Sequence, residues 1–351
     1  ARLSSSGSPQ RSVRRAGTGQ DPVDEQGDPG AEPAVDAGAG DDADNRAAGD
    51  DRAPLRVVIV HWNQPEDCVG TVRRFGRQDV AVRVTVVDNA SEPVALAQLR
   101  GGLDGLRADW PTGADGIELI EHRSNSGFGP GANIGLLRFL ADEADGDRVA
   151  LAPHEFDPFP GCLRSVLAAL DAEPLAGLAC ADVGDGMVPV IDPYFGGMAV
   201  PVDVPPEGSP ELPRWEEVAY PHGTLMFLRR ATLDEVGVFD ERYFSYCEEA
   251  ELALRARRAG WKVGLVRGAR VQNLHMGSSV SRVDHLQTRN TLLLVQEMSG
   301  WYHATIRSAI TVLQTARGIV QPSSRPYIFD AAARMRGLRD FWLRRFGPPP
   351  A

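Results

Sequence analysis

Three carboxylates crowd one short stretch, Tyr246-Cys247-Glu248-Glu249-Ala250-Glu251-Leu252, just after the aromatics Tyr243 and Phe244. Acids in the first turn of a helix favour its dipole, which accounts for them without any chemistry. Aromatics followed by clustered acids also suit a sugar-binding platform with a general base. A carboxylate whose pKa is raised by like-charged neighbours accepts a hydroxyl proton near neutral pH. A second acidic pair, Glu155 and Asp157, stands in Ala152-Pro153-His154-Glu155-Phe156-Asp157-Pro158. Two carboxylates two residues apart at a strand end hold a hard divalent cation through oxygen, and such a cation stabilises a departing diphosphate. A solvated polar turn has the same composition. His275, in Asn273-Leu274-His275-Met276-Gly277, either completes a metal site or is structural.

Two other segments suit a nucleotide. Val86-Val87-Asp88-Asn89-Ala90-Ser91 places a carboxylate and an amide at a strand tip, where they hydrogen-bond a base or ribose, or cap a turn. In Asn125-Ser126-Gly127-Phe128-Gly129-Pro130-Gly131-Ala132-Asn133-Ile134-Gly135 the glycines let backbone approach a ligand, and the loop opens a helix N-terminus suited to anions. A plain turn into a helix reads the same way. The loop has no Walker lysine, and its glycine spacing fits a dinucleotide fingerprint poorly.

The elements that must position these residues follow from hydrophobic pattern. Arg56–His61 is a β-branched run read as a buried strand, followed by a helix over Glu66–Phe75. Further strands are predicted at Val82–Val87, Ile117–Glu121 and Arg148–Ala152, with a helix over Pro130–Ala141. Strands alternating with helices at this spacing indicate an α/β fold with a mostly parallel sheet flanked by helices. Ligands then sit beyond the carboxyl ends of the strands, where the motifs above fall. Val183–Ala219 shows no clean periodicity and reads as a functional loop or insertion. Regularity returns at Thr224–Arg229, in a helix over Glu248–Ala259, and in strands at Val263–Val266 and Arg270–Leu274. The region from Asp284 to Phe346 reads as helical.

Residues 1–53 hold almost no large apolar side chains and are predicted to be a disordered acidic tail. The domain plan is this tail, a catalytic domain over 54–298 and a helical C-terminal extension over 299–351. The net charge of −11 argues against nucleic-acid binding driven by bulk charge. Basic residues are almost all Arg, Lys262 being the only Lys. Cys68, Cys162, Cys180 and Cys247 form no CxxC pair, and buried free thiols in a reducing cytoplasm are expected. No window approaches the roughly 18 apolar residues of a spanning helix, and no apolar leader segment is visible.

The ordered set of motifs resembles the family 2 inverting glycosyltransferases of GT-A fold, especially the bacterial rhamnosyltransferase-like branch, over roughly Arg56 to Glu297. The family's first strand ends in an aromatic-Asn pair, here Trp62-Asn63, and its second in Val-Asp-Asn-x-Ser, here Val87–Ser91. Its Asn-x-Gly-Phe-x-x-x-x-Asn-x-Gly segment matches Asn125, Gly127, Phe128, Asn133 and Gly135. Gly237-Val238-Phe239-Asp240-Glu241 matches its Gly-x-Phe-Asp-Glu stretch, and Tyr246–Leu252 its Tyr-x-Glu-Asp-x-Asp-Leu motif. The late His with Gly and Ser resembles His275, Gly277 and Ser279, and Arg289-Asn290 the closing Arg-Asn.

The resemblance implies a nucleotide-diphosphate sugar donor, with Asn63, Asp88, Asn89, Asn125, Gly127 and Asn133 on the nucleotide side. It implies Mg2+ or Mn2+ on Glu155, Asp157 and His275, and Glu249 as the catalytic base. His222, Tyr246, Glu248, Glu251 and Arg289 are expected to face the donor or acceptor sugar. The acceptor is a hydroxyl of a glycan, a lipid-linked sugar or a small molecule, and the donor leans to dTDP-rhamnose. The sequence departs from the family by carrying Glu where the metal and base positions usually carry Asp. A binding protein of the same fold without transfer activity is the competing reading. Location is expected to be cytoplasmic, with peripheral membrane contact through a basic, aromatic C-terminal helix over Ala331–Phe346.

Overall fold

Two hydrophobic cores lie on opposite faces of one large sheet, and the alternation of strand β1 (Leu55–His61) feeds both. Val57 and Ile59 pack into one core and Val58 and Val60 into the other, as the two-residue period of a strand requires. The computed structural model describes residues 53–194, 196–274 and 279–349. The predicted acidic tail, Ala53 apart, lies outside the described residues.

In chain order, α1 (Pro65–Phe75), β2 (Val82–Asp88), α2 (Pro93–Arg107), β3 (Ile117–Glu121), α3 (Phe128–Leu140) and β4 (Arg148–Pro153) form the first half. Strands β1, β2, β3 and β4 are mutually parallel neighbours in the order β3-β2-β1-β4. Then come β5 (Phe156–Pro158), α4 (Cys162–Ala172), β6 (Ala176–Asp182), the hairpin β7 (Met187–Asp192) and β8 (Gly196–Pro201), β9 (Arg214–Glu217) and β10 (Met226–Arg229). Next are α5 (Arg230–Val236), α6 (Glu248–Arg258), β11 (Lys262–Asn273), α7 (Val280–Val320) and α8 (Ala331–Trp342). Strand β10 runs antiparallel between β4 and β6, and β11 continues the sheet parallel to β6. The carboxyl ends of β1, β2, β4, β6 and β11 therefore share one edge. The sheet is mixed, mostly parallel and flanked by helices, as the hydrophobic pattern indicated.

Several elements differ from the sequence expectation. Helix α2 escaped it because Gly101, Gly102 and Gly105 dilute its pattern. It forms because Leu99 and Leu103 are buried and Gly102 lies against Val69 of α1, where a Cβ would come within 2.5 Å. The irregular stretch 183–219 holds a hairpin and β9. The two late strands are one, β11, interrupted by an irregularity between Val266 and Arg270 where Gly268 takes φ +87°. Helix α7 is broken at Gly300, whose φ of 83° and ψ of 178° are not helical. All four cysteines are free thiols, three of them buried.

Helix α8 packs on α7. Phe341, Arg334 and Asp340 face inward, Asp340 accepting from His285 Nε2 at 3.0 Å. The basic and aromatic residues of 331–346 therefore do not form one outward surface. Trp342 is exposed beside Trp301, with ring centroids 5.8 Å apart. Among the described residues no helix is long and apolar enough to cross a membrane.

Candidate active site

A cavity of about 330 Å3 opens at the carboxyl edge of the sheet. His61 and Trp62 reach it from the end of β1, Asn89 from the end of β2, and His154 and Glu155 from beyond β4. The segment Phe244–Glu249 and Arg282 of α7 close the other side. Motifs up to about two hundred residues apart thus meet in one place, because parallel strands deliver their ends to one edge.

The acidic loop is held under strain. Phe244, Tyr246 and Cys247 have positive φ of 64°, 71° and 71°, a region costly for non-glycine residues. Asn290 Nδ2 donates to the carbonyls of Tyr243, Ser245 and Tyr246 at 2.7, 2.7 and 2.8 Å. Arg289 donates to Tyr243 O at 3.2 Å and to Gly347 O at 2.8 Å. Buried at 1% exposure, Arg289 does not reach the cavity; it fixes the loop from behind instead of facing a sugar. Burial pushes its guanidinium down to about 10.

This loop also caps α3. Phe128 N donates to Ser245 Oγ at 3.1 Å and Gly129 N to Phe244 O at 3.2 Å. The first amides of α3 are thereby engaged by protein. Gly127 takes φ +95°, and a Cβ there would stand 2.2 Å from Phe244 O. A Cβ on Gly135 would stand 2.3 Å from Val58 Cγ1. These two glycines serve close approach of protein to protein, a different use from the ligand approach read from sequence.

Glu248 and Glu249 open α6 and both line the cavity. Each keeps one buried carboxyl oxygen, Oε2, without a hydrogen-bond partner. Burial pushes the Glu248 carboxyl well above the usual carboxylate range, and the adjacent Glu249 charge adds to this. Burial raises Glu249 too, opposed by its own backbone and by the neighbouring Glu248 side chain. Both carboxyls are therefore held toward their protonated form by burial. Glu251 points elsewhere: it forms a bidentate pair with Arg255, both contacts at 2.7 Å, outside the cavity wall.

Of the expected metal ligands, Glu155 alone lines the cavity among the described residues. Its Oε2 lies 2.6 Å from His154 Nε2 without hydrogen-bond alignment, leaving a buried oxygen unsatisfied. Asp157 lies in β5 outside the cavity wall, its Oδ2 3.5 Å from Arg74 Nε. His275 lies outside the described residues. Leu274, the residue before it, donates its amide to Glu155 O at 3.1 Å, and Asn273 lines the cavity. A buried carboxylate oxygen without a hydrogen-bond partner, in a cavity whose wall also holds Asn273, fits a hard cation.

On the nucleotide side, Asn89, Asn125 and Gly127 line the cavity. Asp88 lies behind them. His61 Nε2 accepts from Gln64 N at 3.1 Å, so Nδ1 carries the proton and donates to Asp88 Oδ1 at 2.9 Å. Ser91 N donates to Asp88 Oδ2 at 3.1 Å. Burial would raise the Asp88 carboxyl, but the His61 and Ser91 hydrogen bonds hold it below the usual range. Asn63 lies just outside, its Oδ1 accepting from Glu92 N at 2.7 Å at the start of α2. Asn133 is buried away from the cavity and pairs with both backbone groups of Phe239 at 2.9 Å.

His222 does not line the cavity, although Gly223 and Thr224 after it do. Burial pushes its imidazole down, favouring the neutral ring. The sequence reading missed Arg282, which stands 5.8 Å from the Trp62 ring centroid and 5.9 Å from that of Phe244. It also missed His61 and His154. Only their position beyond apolar strands marked the two histidines, and nothing local marked Arg282.

No protein-family profile matches the chain. An N-acetylglucosaminyl-diphospho-decaprenol L-rhamnosyltransferase of Mycobacterium tuberculosis is 27% identical over 220 residues, covering 54% of this chain and 71% of that protein. A low-salt glycan biosynthesis hexosyltransferase of Haloferax volcanii is 24% identical over 224 residues, covering 60% and 64%. This chain is a glycosyltransferase. Its GT-A fold is shared with a mannosyltransferase from Pyrobaculum calidifontis solved with GDP-Man and Mn2+, at TM-score 0.54, 14% identity, and coverage of 84% and 88%. A GalNAc transferase solved with UDP, GalNAc and Mn2+ superposes at TM-score 0.57 and 15% identity. There the match takes in 83% of this glycosyltransferase but about half, 55%, of the other chain. These structural likenesses establish the fold of the glycosyltransferase.

Proposed function

We propose that this glycosyltransferase moves a sugar from a nucleotide-diphosphate donor to an acceptor hydroxyl by a single inverting displacement, with Glu249 as the base. The supporting observation is the meeting of Asn89, Asn125, Glu155 and Glu249 around one cavity at the sheet edge. Asn89 and Asn125 lie where the nucleoside enters, with Asp88 holding their turn from behind. Glu155, together with His275 beyond the described residues, would hold Mg2+ or Mn2+. When bound, that cation supplies charge neutralisation for the leaving diphosphate. Arg282, over the aromatic pair Trp62 and Phe244, offers a second positive charge to the same group.

Glu249 takes the acceptor proton as the hydroxyl oxygen bonds to the anomeric carbon from the face opposite the leaving group. The bond from that carbon to the diphosphate oxygen breaks and the nucleotide leaves with its electron pair. In this reading the adjacent Glu248 retains the proton of the pair and leaves Glu249 as the ionised acceptor at the cavity wall. Kinship with the mycobacterial enzyme makes dTDP-rhamnose the first donor to test. Peripheral membrane contact, in this reading, falls to exposed apolar residues of the C-terminal helices such as Trp301, Leu313 and Trp342.

The test is a thermal-shift panel of nucleoside diphosphates with Mn2+, followed by nucleotide release from the matching sugar donor by wild-type protein and Glu249→Gln. Metal-dependent binding with turnover lost in the variant is expected. Turnover that survives Glu249→Gln removes the base, and binding without turnover across hydroxyl acceptors favours the binding-only reading.

A further inference from the structure

A second cavity, of about 600 Å3, shares Tyr246 and Glu249 with the first. It lies between the acidic loop, α8 and α7, whose residues on both sides of the break at Gly300 line it. Four arginines line it: Arg307 and Arg317 on α7, Arg325 in the connection, and Arg334 on α8. The acids on its wall are Glu249 and Asp284.

Asp284 is already committed. It accepts from Arg334 Nε at 2.8 Å and from Asp330 N at 2.7 Å. That neutralises one guanidinium of the four. Arg325 donates to Gly318 O at 2.8 Å and lies over the Phe329 ring, as does Arg334. Arg307 has a buried Nε with no hydrogen-bond partner among the described residues. Burial pushes its guanidinium below the ordinary value and Arg334 adds to this, while Asp192 opposes it. The buried Arg307 Nε has donor capacity that an anion in the cavity would satisfy. Guanidinium groups converging on a polar cavity match the oxygens of a phosphate ester.

We propose that this cavity is the acceptor's anion subsite: it holds a phosphate or diphosphate borne by the acceptor, with the acceptor's reacting hydroxyl turned toward Glu249. The proposal rests on the reading of Glu249 as the base, since the two cavities meet at that residue. The bound phosphate ester passes through unchanged. The acceptor O–H loses its proton to Glu249, the oxygen bonds to the donor's anomeric carbon, and the nucleotide diphosphate leaves from the first cavity. A soluble sugar phosphate and a lipid-linked diphosphate offer the same anion. Leu313 and Val320, one turn either side of Arg317, are 69% and 83% exposed, which suits an apolar tail beside the anion.

The experiment is calorimetry on the full chain in EDTA, which keeps a metal from drawing anions into the first cavity. Inorganic pyrophosphate and farnesyl diphosphate are titrated separately into wild type, Arg317→Gln, Arg307→Gln and the donor-side variant Asn125→Ala. Binding of pyrophosphate by wild type is expected, weakened about tenfold or more in each arginine variant and unchanged in Asn125→Ala. Arg317 is exposed, so its variant keeps the test valid if Arg307→Gln fails to fold. Tighter binding of farnesyl diphosphate than of pyrophosphate supports a lipid-linked acceptor; equal binding supports a soluble phosphate ester. Absence of pyrophosphate binding, or binding indifferent to Arg317→Gln, overturns the subsite. Because the titration does not depend on turnover, this failure is separable from failure of the base, which shows as transfer surviving Glu249→Gln.

Discussion

Glu248 and Glu249 stand side by side in the first turn of α6 and both line the cavity, Glu248 buried and Glu249 half-buried. Each retains an oxygen without a partner in the cavity region. The two acids are therefore not equivalent. Glu249→Gln is expected to lower transfer by about 10^2- to 10^4-fold with nucleotide affinity retained. Glu248→Gln is expected to keep most of the activity. Comparing kcat and nucleotide Kd in the two variants checks this; equal losses in both would assign the base wrongly.

The same pair sets a pH dependence. Both carboxyls are raised in the fold, so the folded state binds protons more tightly than the unfolded chain. Their contribution to stability is complete below the ordinary carboxylate value and is lost as pH rises through the raised values. Activity moves the opposite way, rising as Glu249 ionises. Melting temperature measured from acid to neutral pH should fall less steeply in Glu248→Gln than in wild type. Parallel curves would contradict a raised Glu248 carboxyl.

Asn290 tests how the strained loop is maintained. Its side chain satisfies three carbonyls of the segment 243–246. Asn290→Ala leaves these groups poorly paired and is expected to cost about 2–3 kcal/mol in urea unfolding. Activity should fall further than stability at a temperature where the variant is still folded, because Tyr246 and Glu249 lose their positions. Activity intact in a destabilised variant would limit Asn290 to a purely structural role.

Gly127 joins two motifs by contact. Its positive φ and the 2.2 Å approach of a Cβ to Phe244 O leave no room for a side chain. Gly127→Ala is expected to destabilise by about 2 kcal/mol or more, read as a lower denaturant midpoint. A variant as stable as wild type would show that the loop yields at little cost.

Glu155 carries the metal expectation. Wild-type protein should gain thermal stability from a nucleoside diphosphate with Mn2+ beyond that from either alone. Glu155→Gln should lose this synergy while folding normally, since its Oε2 has no hydrogen-bond partner to lose. Unchanged synergy in the variant would move the cation away from Glu155.

The sequence by itself determined the α/β class, the order of the first strands and the segments that meet at the cavity. Those are local properties: β-branched runs, turn chemistry and acid clusters are written in adjacent residues, and parallel strands deliver them to one edge whatever the details. Helix α2 was hidden because its glycines weaken a pattern that α1 rescues by packing. Only the tertiary structure decided which polar residues face the cavity. Asp88, Asn133 and Glu251 share motifs with residues on the cavity wall, yet their side chains are spent on His61, Phe239 and Arg255, as that of Arg289 is on Tyr243. The arginine-lined cavity is likewise tertiary: Arg307, Arg317, Arg325 and Arg334 converge only because α8 folds back on α7. Direction and partner are set by contacts between residues distant in the chain, and local spacing carries no record of them.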